Sequence, residues 1–154
     1  MKKKFLILIW LFLLFSGPIV ILTKTPLAVI TKDVVQLISL LQRIAALIAF
    51  SAIFTQIITG AYLSRLSKVF GSWIRKFHTF QGVIAYLFVL AHPLLFLFFN
   101  FKTRGAIDPF YVFTDFCLLC PRPFELYFSF GRIAFWLTSL AALAAVIRSE
   151  NWWK

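Results

Sequence analysis

Four long stretches of apolar residues constrain what this chain can fold into. Each is long enough to cross a hydrocarbon core of ~30 Å, which takes ~20 helical residues at a rise of ~1.5 Å per residue. The runs are continuous and do not alternate with polar residues, so helices must satisfy the backbone within each segment. The sequence therefore predicts an all-α membrane protein, a bundle of four transmembrane helices at about 5–23, 36–64, 77–100 and 126–147.

The composition agrees with this class and gives no sign of a separate soluble domain. Of the 154 residues, 62% are hydrophobic, and only five are acidic, which is outside the usual range of soluble proteins. We expect a single transmembrane domain over 1–154, with its longest connection at 102–125. The basic and apolar N-terminus also resembles a secretory signal, but no A-x-A-like cleavage site follows, so we expect a retained first helix.

Basic residues are distributed unequally between the two sides that four spans create. One side has nine: Lys2, Lys3, Lys4, Arg65, Lys68, Arg75, Lys76, Arg148 and Lys154. The other side has five: Lys24, Lys32, Lys102, Arg104 and Arg122. Because basic residues favour cytoplasmic loops, we expect both termini in the cytoplasm and a multi-pass protein of the cell membrane, in bacteria the inner membrane. The charge of +11 then reflects contact with membrane lipid, and it indicates no nucleic-acid partner.

The chain has two histidines, His78 and His92, and both lie in the third span. At about 100° per residue they project from nearly the same helix face, ~21 Å apart along the axis. Gly82 and Ala85 lie between them on that face, where small residues admit a neighbouring helix or a flat cofactor. Two binding sites stacked at two depths would explain this pattern, and so would a pair of interhelical hydrogen bonds. A shared zinc ion would not, because the two rings are too far apart.

Imidazole is a common axial ligand of haem iron, so two histidines at two depths indicate two haems arranged for electron transfer. The haem propionates would need cationic partners. Arg43 and Arg132, each near the predicted outer end of a span, are candidates, although snorkelling towards headgroups explains them equally well. The predicted cofactor-binding residues are His78, His92, Gly82, Ala85, Arg43 and Arg132, with the two histidines as ligands of haem iron.

One long stretch of the sequence resembles a known family. Residues 40–96, "LLQRIAALIAFSAIFTQIITGAYLSRLSKVFGSWIRKFHTFQGVIAYLFVLAHPLLF", are similar to helices 2 and 3 of the ferric reductase-like transmembrane domain family, which includes NADPH oxidases. The matching elements are an arginine before a small-apolar helix, the loop "KVFGSW" and the pattern H-x3-G-x2-A-x6-H-P. "FGRIAFWLTSLAALAAV" is similar to the family's helix 4.

The resemblance implies transmembrane electron transfer. In this family a cytosolic FAD, reduced by NAD(P)H, passes electrons through two b-type haems to an external acceptor such as ferric iron or oxygen. By position, His78 would ligate the inner haem and His92 the outer one, while the family's helix 5 gives the second histidine of each pair. "RSENWWK" resembles the loop before that helix, and no G-x-G-x-x-G turn occurs. We therefore expect two partners, a flavin/NAD(P)H-binding domain or subunit and a segment or chain with the remaining histidines, and no complete enzyme in this chain alone.

Two other interpretations stay open. Gln42, Gln56 and Thr59 are further polar groups within the spans, and helix-helix hydrogen bonds explain them better than a role as ligands. In a cofactor-free structural or assembly subunit, the two histidines would also only form such hydrogen bonds. Cys117 and Cys120 form a C-x-x-C in the 102–125 connection, like the pairs of membrane enzymes that transfer electrons from disulfides to quinone. Such enzymes need a second cysteine pair, so a structural disulfide or two free thiols are alternatives for these cysteines.

Overall fold

The computed structural model describes residues 2–25, 33–117, 119–120 and 122–149, with the backbone alone for 148 and 149. The described residues form six helices and no strand: α1 (Lys2–Lys24), α2 (Val34–Ala61), α3 (Leu63–Phe70), α4 (Trp73–Arg104), α5 (Pro109–Phe113) and α6 (Pro123–Ser149). By length and composition, α1, α2, α4 and α6 could each cross a membrane. This confirms the predicted all-α membrane protein with four spans. Lys32 and residues 150–154, most of the stretch likened to the loop before the family's helix 5, lie outside the described residues.

The connection after the second span differs from the sequence prediction. That span was expected to reach residue 64, but α2 ends at Ala61 because Tyr62 leaves helical geometry at φ −103°, ψ 14°. The segment 65–76, expected as a loop, is largely helical, since α3 begins directly after Tyr62. Gly71 ends α3 at φ 68°, a conformation that favours glycine because it has no Cβ.

The 102–125 connection is also more helical than expected. The third span continues to Arg104, and the fourth begins at Pro123. Between them the five-residue α5 begins after Asp108, whose side chain accepts a hydrogen bond from the Tyr111 N–H at 2.9 Å. Proline at the first helical position suits this short turn, because its missing N–H has no partner there in any case.

The chain divides into two compact units, residues 1–95 and 96–154. The core of the first unit contains apolar residues of α1, α2 and α4: Trp10, Leu14, Ile48, Ala52, Ile74, Phe77 and Ala85. The helices α1 and α2 approach closely at Gly17, where a Cβ would lie 3.1 Å from the side chain of Leu47. Lipid tails are as apolar as the side chains, so the hydrophobic effect does not drive helices together within a membrane. Close van der Waals packing at small residues is therefore a main source of the energy of association.

Within the first unit, the buried residues of α4 recur every three or four positions, as expected of one helix face: Ile74, Phe77, Gln81, Ala85 and Val89. The helix runs through Pro93 without interruption. His78 and His92 lie on the same face of α4 as these buried residues, so both rings can reach a neighbouring helix.

The second unit contains the end of α4, α5 and α6. Aromatic contacts hold these elements together: the ring centroids of Phe96 and Phe128 are 5.5 Å apart, and those of Phe113 and Phe135 are 5.2 Å apart. Such pairs contribute ~0.5–1.5 kcal/mol each beyond the burial of their area.

Candidate functional site

His78 contacts α2 through both of its ring nitrogens. Nδ1 is 3.0 Å from Thr59 Oγ1, and Nε2 is 3.2 Å from the amide nitrogen of Gln56. An amide NH₂ only donates, so with this amide orientation the Nε2 of His78 accepts and Nδ1 donates its proton to Thr59. The Thr59 hydroxyl in turn donates to the carbonyl of Thr55 at 2.8 Å. The ring is therefore held on two sides.

A second polar contact joins the same two helices. Gln81, which is fully buried, donates from Nε2 to Thr55 Oγ1 at 2.6 Å. Together with the His78 contacts, this confirms the interpretation of Gln56 and Thr59 as helix-helix hydrogen-bonding groups. The other amide atom of Gln56, Oε1, is buried and has no hydrogen-bond partner within the described part of the chain.

Two glycines make room for these polar side chains. A Cβ on Gly60 would lie 3.2 Å from His78 Cε1, and a Cβ on Gly82 would lie 2.8 Å from the amide nitrogen of Gln56. The space beside Gly82, expected for a helix or a flat cofactor, is thus occupied by a side chain of α2. Ala85 is 4% exposed and belongs to the apolar core. Sequence reasoning missed Gly60, whose only signal is its place beside a polar residue within a span.

His92 contacts α2 at its other end. Its Nδ1 is 3.1 Å from the backbone carbonyl of Gln42. A carbonyl only accepts, so Nδ1 carries the proton of this hydrogen bond, and in the neutral ring Nε2 carries the lone pair. Over the residues that the structure describes, Nε2 of His92 has no hydrogen-bond partner.

These contacts show that α2 and α4 run antiparallel in the first unit. Three pairs join them: Thr59 with His78, Thr55 with Gln81, and Gln42 with His92. Both imidazoles therefore face the same helix, at levels ~21 Å apart along α4. Each is anchored to that helix through Nδ1.

Arg43 follows directly after the residue whose carbonyl binds His92. Its side chain is exposed, and its Nε donates to the carbonyl of Ser39 in its own helix at 3.3 Å. Its other guanidinium donors make no hydrogen bond within the described chain, so they remain available to a headgroup or another anion.

Arg132 lies in the second unit and is 6% exposed. Its Nε donates to the carbonyl of Val112 at 3.2 Å, and its two terminal nitrogens donate to the carbonyls of Asp115 and Tyr111. The guanidinium also lies over the ring of Tyr111, 5.4 Å from its centroid, which adds a cation-π contact. Arg132 thus holds part of the segment 111–117, which contains the end of α5 and the residues directly after it.

The neighbouring turns of α6 hold the same segment. Ser129 Oγ accepts a hydrogen bond from the N–H of Cys117 at 2.8 Å, and Trp136 Nε1 donates to the carbonyl of Phe113 at 2.9 Å. With Arg132 these side chains recur at a helical spacing of three and four residues, on one face of α6. Sequence reasoning did not predict this polar face.

Cys117 and Cys120 are joined by a disulfide, with their Cα atoms 5.5 Å apart. The carboxylate of Glu125 and the two sulfur atoms lie within 4.8 Å of one another. Thiolates, and not disulfide sulfurs, are the usual metal ligands. In this form the three residues therefore do not make a metal site.

The first unit contains five of the six predicted cofactor residues: His78, His92, Gly82, Ala85 and Arg43. The second contains Arg132. Comparison of the chain with models of protein families, with curated proteins and with solved structures gives no match.

Proposed function

We propose that this chain is the haem-bearing part of a membrane electron-transfer protein, as its resemblance to the ferric reductase-like transmembrane domain family implies. His78 and His92 would each hold a b-type haem through one ring nitrogen. The observation that carries the proposal is at His92, where Nδ1 contacts the carbonyl of Gln42 and Nε2 is the nitrogen left for an iron. His78 also contacts α2 through Nδ1, but the amide of Gln56 contacts its Nε2. Bound haem would supply one-electron transfer, and the protein supplies its binding and orientation.

The surroundings of His92 suit a metal ligand. Histidines that bind a metal usually donate from the other ring nitrogen to a carbonyl or carboxylate, which fixes the tautomer and the ring orientation. The carbonyl of Gln42 accepts such a bond at 3.1 Å. Because this acceptor belongs to the backbone of a long helix, the ring keeps its direction without another side chain.

His78 is compatible with the same role after one side chain moves. Thr59 would keep its hydrogen bond to Nδ1, while the amide of Gln56 would turn away from Nε2. Hydrogen bonds of this kind within membrane proteins contribute ~0.6 kcal/mol on average, so the movement is inexpensive. The amide oxygen of Gln56 already has no partner in the described chain, which makes another position of this side chain easier to reach.

The remaining parts of the system come from outside these residues. The sequence contains two histidines, so each haem takes its second axial ligand from a segment or chain that corresponds to the family's helix 5. A domain or subunit that binds FAD and NAD(P)H delivers electrons on the cytoplasmic side. The external acceptor is ferric iron or oxygen.

The proposal also orients the chain. The four spans cross the bacterial inner or plasma membrane, with both termini cytoplasmic, so that His78 serves the inner haem and His92 the outer one. The candidate partners for the outer propionates are Arg43 in the first unit and Arg132 in the second. Arg43 has more hydrogen-bond donors left for a propionate, because Arg132 already uses all three of its nitrogens on backbone carbonyls.

A haem titration of the purified chain tests the proposal. Haem b is added to the protein in detergent, and free imidazole is then added as a substitute for the missing second ligand. We expect a saturable Soret band with two haems per chain, converted to a low-spin spectrum by imidazole. His78→Leu and His92→Leu should each remove one haem and leave the other.

Gln81→Leu is the matched control. It removes a buried polar side chain from the same helix, between the two histidines, without touching a proposed ligand. Its haem content should equal that of the wild type. Saturable binding that both histidine variants retain would contradict the proposal, and so would the absence of any saturable binding.

A second candidate is a cofactor-free structural or assembly subunit. The observation in its favour is that Thr59 and Gln56 occupy both ring nitrogens of His78. In that case His78→Leu lowers only the stability, by ~0.6–1.7 kcal/mol for the lost interhelical bonds. Haem would then bind without saturation, and equally to all variants.

A further inference from the structure

One end of the first unit has a strong and uncompensated positive charge. Seven basic side chains lie there, and all are exposed: Lys2, Lys3, Lys4, Arg65, Lys68, Arg75 and Lys76. No acidic residue occurs in 1–32 or in 34–107. The charge of this end must therefore be balanced by anions from outside the unit.

The structure has a cleft at this end, between the start of α1 and the end of α3. Its volume is about 510 Å³, and it is lined by Lys2, Lys3, Lys4, Val69 and Phe70. The three ammonium groups provide a cationic wall, and the other two residues provide an apolar one. The Nζ of Lys3 also lies 5.6 Å from the ring centroid of Trp73, so this lysine is held near the cleft.

The helix α3 has the features of an interfacial helix. Leu63, Leu66 and Phe70 pack against the core of the unit, while Arg65 and Lys68 are exposed. Amphipathic helices with a basic polar face lie at the boundary between headgroups and acyl chains. A cleft beside such a helix is therefore at the level of lipid phosphates.

We propose that this cleft is a binding site for the headgroup of an anionic glycerophospholipid. The ammonium groups of Lys2, Lys3 and Lys4 contact the phosphate, and Val69 and Phe70 contact the glycerol and the first methylenes of an acyl chain. A soluble anion would match the cationic wall alone, whereas a phospholipid matches both walls. The inference depends on the membrane-spanning helices and not on haem.

Native mass spectrometry of the full chain in a non-ionic detergent tests the site. The protein is titrated with phosphatidylglycerol, with phosphatidylcholine and with inorganic phosphate, and retained lipid and the unfolding temperature are recorded. Each lysine near a phosphate contributes about fivefold in affinity, so the triple variant Lys2→Gln/Lys3→Gln/Lys4→Gln should bind phosphatidylglycerol about a hundredfold more weakly. The wild type should prefer phosphatidylglycerol to phosphatidylcholine, and inorganic phosphate should not raise its unfolding temperature.

Two further variants separate a site from general charge attraction. Lys24→Gln/Lys102→Gln/Arg104→Gln removes the same charge away from the cleft and should keep the preference for phosphatidylglycerol. Val69→Ser, at an exposed position, should weaken lipid binding at unchanged charge. Circular dichroism shows that each variant is folded.

Three results would overturn the inference. The first is an equal loss of preference in both triple variants, which would indicate diffuse electrostatics. The second is equal stabilisation by inorganic phosphate, which would indicate a site for free anions. The third is the absence of any preference for phosphatidylglycerol in the wild type.

Discussion

Replacing Arg132 by leucine is expected to release the segment 111–117, the end of α5 and the residues after it, from α6 while leaving α6 in the membrane. In the second unit the guanidinium donates to the carbonyls of Tyr111, Val112 and Asp115. Leucine is apolar and donates nothing. All three carbonyls then lose a partner at once, and Val112, which is 6% exposed, is poorly placed to bind water instead.

The size of the effect follows from the number of bonds. Hydrogen bonds within membrane proteins are worth ~0.6 kcal/mol on average and ~1.7 kcal/mol at most, so three contribute about 2–5 kcal/mol. The insertion energy changes in the opposite direction. Arginine costs ~2.5–3.5 kcal/mol at the centre of a span and less towards its end, where Arg132 lies, whereas leucine is favourable. We therefore expect Arg132→Leu to insert at least as well as the wild type and to lose local structure.

Hydrogen exchange distinguishes these two effects. A loss of about 2 kcal/mol in the opening free energy speeds exchange about thirtyfold. The reporters are the N–H groups of Val112, Thr114 and Asp115, which donate to the carbonyls of Asp108 and Phe110. Their exchange should accelerate in Arg132→Leu, while that of α2 should stay unchanged.

Arg43→Leu is the matched control, because it removes the same charge from another span. Arg43 is exposed and makes one hydrogen bond, to its own helix, so its replacement should change stability by no more than ~0.5 kcal/mol. Arg132→Lys should give an intermediate effect, since an ammonium cannot reproduce the fork of a guanidinium. Equal exchange in the segment for Arg132→Leu and Arg43→Leu would refute the reasoning.

Two further substitutions test the contacts between α2 and α4. Gln81→Leu should lower the free energy of unfolding in mixed micelles by ~0.6–1.7 kcal/mol, and a double-mutant cycle with Thr55→Val should show non-additivity; additive effects would mean that their 2.6 Å hydrogen bond contributes nothing. Alanine in place of glycine usually stabilises a helix by ~1 kcal/mol. Gly60→Ala should not show this gain in stability, because its Cβ would lie 3.2 Å from the anchored ring of His78. Gly131→Ala, where a Cβ meets nothing within 4 Å, should give that gain, and equal stability of the two alanine variants would show that the ring yields freely.

The four spans could be predicted from the sequence because each depends on a single property, the length of an apolar run. The helix α3 was missed for the same reason. Its sequence "LSRLSKVF" has Leu63, Leu66 and Phe70 at helical spacing, but eight residues are too few to form a span. A search for periodicity, and not only for long apolar runs, would have found it.

In the candidate site, some contacts could be predicted from the sequence and others could not. When two polar side chains contact each other, both partners can be recognised in the sequence as polar residues within apolar spans. The interpretation of Gln56 and Thr59 as interhelical groups depended on this. When a side chain contacts a backbone carbonyl, only the side chain can be recognised in the sequence, because every residue has the same carbonyl. The anchoring of His92 by the carbonyl of Gln42 and the three bonds of Arg132 are of this second kind.

A physical argument indicates which backbone carbonyls of a membrane protein need a side chain as their hydrogen-bond donor. An α-helix satisfies its own carbonyls, whereas non-helical backbone next to apolar spans must find donors elsewhere. The last carbonyls of a short helix also lack partners within the helix. The segment 111–117, which contains the end of α5 and the residues after it, combines both cases, and α6 offers it Arg132, Trp136 and the acceptor Ser129 on a single face. For an arginine within an apolar span, the first question is therefore whether its guanidinium binds carbonyls of the nearest non-helical segment. A ligand should be considered only after that. Applied to this chain, that order assigns Arg132 first to the backbone and leaves Arg43 as the freer partner for an anion.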